Sequence, residues 1–225
     1  MNDVITILTP VYGRHSFLPL WLNNIKNQMY PHENIQVIVD ECHSDNLFIQ
    51  DIDKVREFLH PIKITHNVYH SRSCIGVKRN RLVKNCQSRL FMFFDSDDIY
   101  LPTALSYSYK MLKNHKVKCV GSDKMLFSYV DEDFKMCGID CNNQIALIHE
   151  ATLLADKKWF NSTCKFQRNS RGEGKQLFSG ISPKDVCITD VSKIMVCLCH
   201  KGNTVNKDNF KREEMNSRLS ECYID

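Results

Sequence analysis

Three carboxylates fall within four positions at Asp95-Ser96-Asp97-Asp98. Like charges packed this closely repel one another, so folding alone gives no reason to gather them. A divalent cation would relieve the repulsion, and Mg²⁺ or Mn²⁺ takes hard oxygen ligands of this kind. A solvated acidic turn is the other reading. The residues just before, Leu90-Phe91-Met92-Phe93-Phe94, are apolar without a break. Such a run reads as a strand buried on both faces, the usual state of a central parallel strand. The carboxylates then lie at its C-terminal end, where open α/β sheets place their ligands.

Two further strand ends carry chemistry. Ile35 to Val39 reads as a buried strand ending on Asp40 and Glu41. Val4 to Leu8 reads as another, stopped by Pro10 and Gly13 in Thr9-Pro10-Val11-Tyr12-Gly13-Arg14. Between these strands the apolar period turns helical. Ser16 caps a helix carrying Phe17, Leu18, Trp21, Leu22 and Ile25 through about Gln28. Leu47 to Leu59 forms a second helix, ending before Pro61, and Ile62 to Thr65 a short third strand. A third helix runs from about Cys74 to Asn85, capped by Ser71 or Ser73, and a fourth carries Leu105, Tyr109 and Leu112 with Pro102 in its first turn. Strands alternating with helices over short connections predict an α/β fold, a mostly parallel central sheet with helices on both faces. Its strand ends would share one edge.

The second half is less regular. Val117 to Val120 reads as a strand, and Met125 to Val130 with Lys135 to Ile139 as a small antiparallel hairpin. Asp156 to Phe160 forms one helical turn. Gln167 to Lys175 is a polar loop with two glycines, Ile194 to Cys199 a last strand, and the charged tail from Lys207 a surface helix.

At 225 residues the chain fits a single domain, and 43% hydrophobic with 25% charged residues is the composition of a soluble globular protein. A net charge of +4 with no dense Lys/Arg block gives no case for nucleic acid. No apolar run reaches the roughly 20 residues of a membrane span. The N-terminus has no basic region of a signal peptide. Eleven scattered cysteines, an odd count, read as reduced thiols in a cytoplasmic setting. Cys197-Leu198-Cys199-His200 lacks the second pair of a structural zinc site.

Four motifs, in order, resemble the inverting family-2 glycosyltransferases of the GT-A fold. Thr9-Pro10-Val11-Tyr12-Gly13-Arg14 is similar to Thr-Pro-x-Tyr-Asn-Arg. Val39-Asp40-Glu41-Cys42-His43-Ser44-Asp45-Asn46 is similar to Val-Asp-Asp-Gly-Ser-x-Asp-Asn. Gly76-Val77-Lys78-Arg79-Asn80 resembles Gly-x-Ala-Arg-Asn, and Phe93-Phe94-Asp95-Ser96-Asp97-Asp98 resembles Phe-Leu-Asp-x-Asp-Asp. Later, Arg171-Gly172-Glu173-Gly174 is similar to the Gly-Glu-Asp motif and His200 to Thr204 to His-x-x-Asn-Thr.

The resemblance implies one glycosyltransferase domain over 1–225: a nucleotide-sugar half (1–115), an acceptor half (116–205) and a surface tail (206–225). It implies transfer, with inversion, from a nucleotide diphosphate sugar, a UDP-sugar by preference, to a hydroxyl of a glycan, lipid or protein acceptor. Donor contacts come from Thr9, Pro10, Tyr12, Arg14, Asp40, Lys78, Arg79, Asn80, Asp95 and Ser96. Asp95, Asp97 and His200 hold Mn²⁺ or Mg²⁺. Within that frame an aromatic face at Tyr12 suits stacking on a base, and Lys78 and Arg79 suit phosphate. Glu173, between two glycines, is the general base, with Asp185 and Glu150 as weaker rivals. Lys78 departs from the family's small residue, Arg81 from a glycine, Cys42-His43 from Gly-Ser, and Gly174 from a second acid. Two other readings stand beside this one. A sugar nucleotidyltransferase would open with a Gly-rich loop, which Pro10-Val11-Tyr12-Gly13 is not. A binding module without catalysis would bind donor but turn nothing over.

Overall fold

The computed structural model describes residues 2–42, 46–174, 176–203, 207 and 210. His43, Ser44 and Asp45 of the second motif, Lys175, Thr204 and nearly all of the expected tail helix lie outside the described residues. The strands are β1 (Ile5–Val11), β2 (Ile35–Cys42), β3 (Lys63–Tyr69), β4 (Leu90–Phe93), β5 (Ile99–Tyr100), β6 (Cys119–Gly121), β7 (Lys124–Tyr129), β8 (Lys135–Asp140), β9 (Leu154–Asp156), β10 (Val186–Ile188) and β11 (Met195–Cys199). The helices are α1 (Leu18–Lys26), α2 (Ile52–Leu59), α3 (Ile75–Asn85), α4 (Ala104–His115) and α5 (Lys157–Thr163).

Seven strands form the central sheet in the order β10-β6-β9-β4-β1-β2-β3. All neighbours pair in parallel except β9, which runs antiparallel to both β4 and β6. This is the expected α/β architecture. The apolar run at 90–94 divides between two cores. Leu90, Met92 and Phe94 enter one, and Phe91 and Phe93 the other. An uninterrupted run is what a strand covered on both faces requires. Each phenyl ring so buried contributes roughly 1.5–3 kcal/mol relative to exposure.

A second sheet, β5-β11-β7-β8, stands beside the first and contains the expected hairpin as β7 and β8. The acidic turn joins β4 of one sheet to β5 of the other. It therefore lies at the seam between them.

Several expectations shift. Pro10 does not stop β1, which runs to Val11 in register with Glu41. Pairing with β4 ends at Leu8, so beyond it β1 has one neighbour and the absent N–H of Pro10 is not needed. Ser16 lies inside a short 3₁₀ turn at His15–Phe17 and caps nothing; α1 begins with Pro19 in its first turn. Asp51, not Leu47, opens the second helix, its carboxylate accepting from the Asp53 and Lys54 N–H groups. Neither Ser71 nor Ser73 caps α3, where Cys74 holds the capping position without a side-chain bond. The three-residue strands β9 and β10 were too short to show a period in sequence.

Candidate active site

A cavity of about 850 Å³ opens where the two sheets meet, within the range of roughly 300–1,000 Å³ usual for small-molecule sites. The ends of β1 and β4 supply Pro10, Tyr12, Arg14, Asp95, Ser96 and Asp97, and α3 supplies Lys78 and Arg79. Glu150 and Glu173 face it from the second half.

The acidic turn is held from inside. Phe94 stacks on Tyr100 at 3.8 Å, and the Tyr100 hydroxyl accepts from the Asp95 N–H (2.9 Å) while donating to the Ala151 carbonyl (3.1 Å). Asp98 is buried and does not cap α4. Its Oδ1 accepts from the Leu198 N–H at 3.0 Å, and its carbonyl accepts from the Asn24 amide at 2.8 Å. Burial pushes its carboxyl well above the ordinary range, with Cys197 and Asp97 adding to the shift. So the third carboxylate of the cluster ties β11 to the turn at the cavity wall.

Asp97 lines the cavity between a guanidinium and an imidazole. Its Oδ2 lies 2.6 Å from Arg14 Nε and 3.2 Å from His200 Nε2. Burial works to raise its pKa, yet the hydrogen bond from His200 and the charge of Arg14 outweigh it, and the net shift is downward. The late strand β11 thus delivers His200 to Asp97 across a separation of 103 residues. A carboxylate beside an imidazole suits Mn²⁺ or Mg²⁺ chemically. Among the described residues no three such groups converge on one point, and Asp95 is paired with Arg79.

The third motif works as a clamp. Gly76, Arg79 and Asn80 share one face of α3 at helical spacing. Gly76 lets the 167–173 loop approach: a Cβ there would overlap the Gln167 carbonyl oxygen and stand 3.2 Å from the Glu173 Cβ. Asn80 grips Phe166 twice, donating to its carbonyl (2.9 Å) and accepting from its N–H (3.0 Å). Arg79 is buried, with its guanidinium over Phe93 (4.8 Å), both Asp95 oxygens at 3.1 and 3.0 Å from Nη2, and Glu173 Oε1 3.6 Å from Nε. Burial opposes its charge, but Asp95, Glu150 and Glu173 more than compensate and raise its pKa. Glu173 is moved the other way: burial raises its carboxyl above the usual range, partly offset by Arg79 and reinforced by Glu150.

Four expected donor or metal contacts do not line the cavity: Thr9, Asp40, Asn80 and His200. Thr9 is buried and accepts from the Trp21 indole at 3.0 Å. Asn80 is spent on Phe166. Asp40, expected as a donor contact, is buried and bound two-fold by Arg81 at 2.5 and 2.6 Å. The departure from glycine at 81 is what brings this guanidinium in. Lys78 is buried too, its ammonium on the Val11 carbonyl, and burial lowers its pKa. Tyr12 is 37% exposed and carries Arg72 over its ring at 4.2 Å. Sequence reasoning missed Arg72, His149 and Lys207 as lining residues. Each sits in a segment without periodicity, so no local signal marked it.

Comparison with known proteins adds the following. Residues 6–170 match the family described as Glycosyl transferase family 2. A curated protein of Escherichia coli, "UDP-Glc:alpha-D-GlcNAc-diphosphoundecaprenol beta-1,3-glucosyltransferase WfgD", is 25% identical over an alignment of 173 residues that covers 68% of this chain and 63% of that protein. The chain thus spans less than two thirds of the length of that relative. The crystal structure of S. aureus TarS 1-349 in complex with UDP-GlcNAc superposes with a TM-score of 0.69 at 15% identity, covering 89% of this chain and 60% of that one. The mannosyltransferase PcManGT from Pyrobaculum calidifontis, in complex with GDP-Man and Mn2+, gives 0.67 at 15% identity, over 93% and 59%. These two structures are likenesses of fold.

Proposed function

The chain belongs to glycosyl transferase family 2, and from that premise we propose that it transfers a sugar from a nucleotide diphosphate sugar, a UDP-sugar by preference, to an acceptor hydroxyl with inversion. One observation carries the reading. Asp97, paired with His200 behind it, and the half-buried Glu173 face the same cavity from opposite sequence halves, with Arg79 between Asp95 and Glu173. The acceptor hydroxyl belongs to a glycan, lipid or protein. A cytoplasmic setting is part of the proposal, supported by the scattered, odd-numbered cysteines. Among the described residues, no helix is long and apolar enough to cross a membrane.

Asp97 and His200, with Asp95 across the turn, would hold Mn²⁺ or Mg²⁺, which when bound supplies Lewis-acid stabilisation of the leaving diphosphate. The remaining work falls to the chain's own groups. Glu173 takes the proton of the acceptor hydroxyl as that oxygen attacks the anomeric carbon from the face opposite the nucleotide. The bond to the diphosphate oxygen breaks with its electron pair leaving on that oxygen. A base must hold its proton near working pH, and the burial that raises the Glu173 carboxyl favours this. Arg14 lies within reach of the cavity as a fixed cation for phosphate oxygens, and Arg79 stands between Asp95 and Glu173. Tyr12, Pro10 and Ser96 form the wall against the nucleoside side. Thr9 and Asn80 serve the donor indirectly, by bracing β1 and the Phe166 loop. Asp40 serves it through the Arg81 pair.

The test is thermal unfolding against a panel of nucleotide sugars with and without Mn²⁺. One donor should stabilise the chain by mass action, roughly 2.7 kcal/mol at a hundred-fold excess over Kd. Asp97→Asn should remove the Mn²⁺-dependent part. If no nucleotide sugar shifts the transition with Mn²⁺ present, the proposal fails.

A further inference from the structure

Gly174 lies in a backbone conformation open to any residue, yet a side chain there would have to displace the Glu150 carboxyl. A Cβ there would overlap Glu150 Oε1 and Cδ and stand 2.7 Å from Cγ. The obstacle is therefore the acid end of a residue 24 positions earlier. That end is well placed. Glu150 begins the 3₁₀ turn Glu150–Thr152, and the turn is locked on both sides. The Ala151 carbonyl accepts from Tyr100, which also holds the Asp95 turn. The Thr152 hydroxyl donates to the His149 carbonyl at 2.8 Å and accepts from the Ser122 N–H at 2.8 Å.

A second, independent observation points to a ligand between these acids. Arg79 is only 3% exposed, and its Nε and Nη1 have no hydrogen-bond partner among the described residues. Buried donors are rarely left unsatisfied, since each costs about 1–3 kcal/mol. Arg79 lines the cavity beside Glu150 and Glu173. An oxygen entering there would meet unspent N–H groups and two carboxylates.

We propose that Glu150 supplies a second carboxylate to the acceptor-activating site, standing in the space that a side chain at position 174 would otherwise fill. This rests on the transferase reading above and names Glu150 as a further catalytic residue. The attacking hydroxyl donates its proton to the Glu150–Glu173 pair, its oxygen forms the new bond to the anomeric carbon, and the diphosphate leaves with the electron pair of the broken bond. The alcohol oxygen is meanwhile held by Arg79.

The experiment follows UDP release from UDP-glucose and UDP-N-acetylglucosamine with Mn²⁺, water serving as acceptor, alongside donor affinity by titration calorimetry. Glu150→Gln should bind donor as tightly as the unaltered chain and release UDP about 10²-fold more slowly, the scale of a lost acid–base group. Combining Glu150→Gly with Gly174→Asp moves the carboxylate across the gap and should recover most of that loss, which no merely structural role would do. Full turnover in Glu150→Gln overturns the proposal. So does weakened donor binding in that variant, or a relocated carboxylate that leaves the rate as low as in Glu150→Gln. Absence of donor binding to the unaltered chain overturns the transferase reading itself, and this inference with it.

Discussion

Replacing Tyr100 by Phe removes one oxygen atom and leaves the rest of the packing in place. The ring keeps its 3.8 Å stack on Phe94. What is lost is the junction through which the Asp95 N–H and the Ala151 carbonyl are both satisfied. Tyr100 is buried, 3% exposed, so water does not readily replace the hydroxyl. An orphaned buried backbone group costs about 1–3 kcal/mol. Two such groups, each relaxing in part, bring the expected loss to roughly 2–4 kcal/mol. For a chain of this size 1 kcal/mol moves Tm by about 2–4 °C, so the fall should be about 4–16 °C. Burial also raises the phenol's pKa well above its ordinary value. The hydroxyl is then neutral from about pH 6 to about pH 9, and the penalty should be the same across that range. Circular dichroism melts of the two proteins measure this directly. Turnover at a temperature where both are folded should fall as well, because Asp95 and Glu150 no longer share a support. A Tm within about 1 °C of the unaltered chain would refute the reasoning, since it would mean the two segments are held by something other than this hydroxyl.

Arg81→Ala leaves Asp40 buried and uncompensated, and urea unfolding should show a loss of about 2–4 kcal/mol. The loss should shrink when Asp40→Ala accompanies it, and equal losses in the single and double variants would contradict the pairing. Glu173→Gln should stabilise the fold at neutral pH while slowing turnover. Because burial raises the folded-state pKa, the acid's contribution is present below its unfolded value of about 4.3 and is lost as pH rises through the folded value. The advantage of the variant should therefore vanish as the pH of the melt falls toward about 4, and an advantage that grows on acidification would reverse the sign of the argument. Asn80→Ala frees Phe166 from both of its bonds. It should cost about 1–3 kcal/mol and lower kcat, because the loop it releases carries Glu173.

What could be read in advance was whatever is contiguous in the chain. The run from Leu90 into Asp95 states its own burial, and β2 into Asp40 does the same, so the parallel sheet and its functional edge followed from local pattern. The roles inside the site depend on pairs far apart in sequence. Arg81 reaches Asp40 across 41 positions and Leu198 reaches Asp98 across 100. Nothing local distinguishes an Asp that meets a ligand from one that meets an arginine or a strand N–H. The same holds for Arg79, whose setting of two phenyl rings and two carboxylates no local pattern announces. Gly174 is the sharpest case. As a letter it marks a missing acid, and in space it marks where another acid has been put.

The tie between Asp98 and β11 bears on synthesis. The four motifs have all left the ribosome once residue 98 is out, yet the strand that anchors the acidic turn and brings His200 to Asp97 comes about a hundred residues later. At roughly 5–20 residues per second, that is an interval on the order of 5–20 s in which a nascent chain holds the four leading motifs and no finished cleft. A chain ended after Ile188 should freeze this state, retaining the motifs while failing to gain protection from donor and Mn²⁺ in limited proteolysis. Donor binding would then report the last strand's arrival rather than the presence of the motifs.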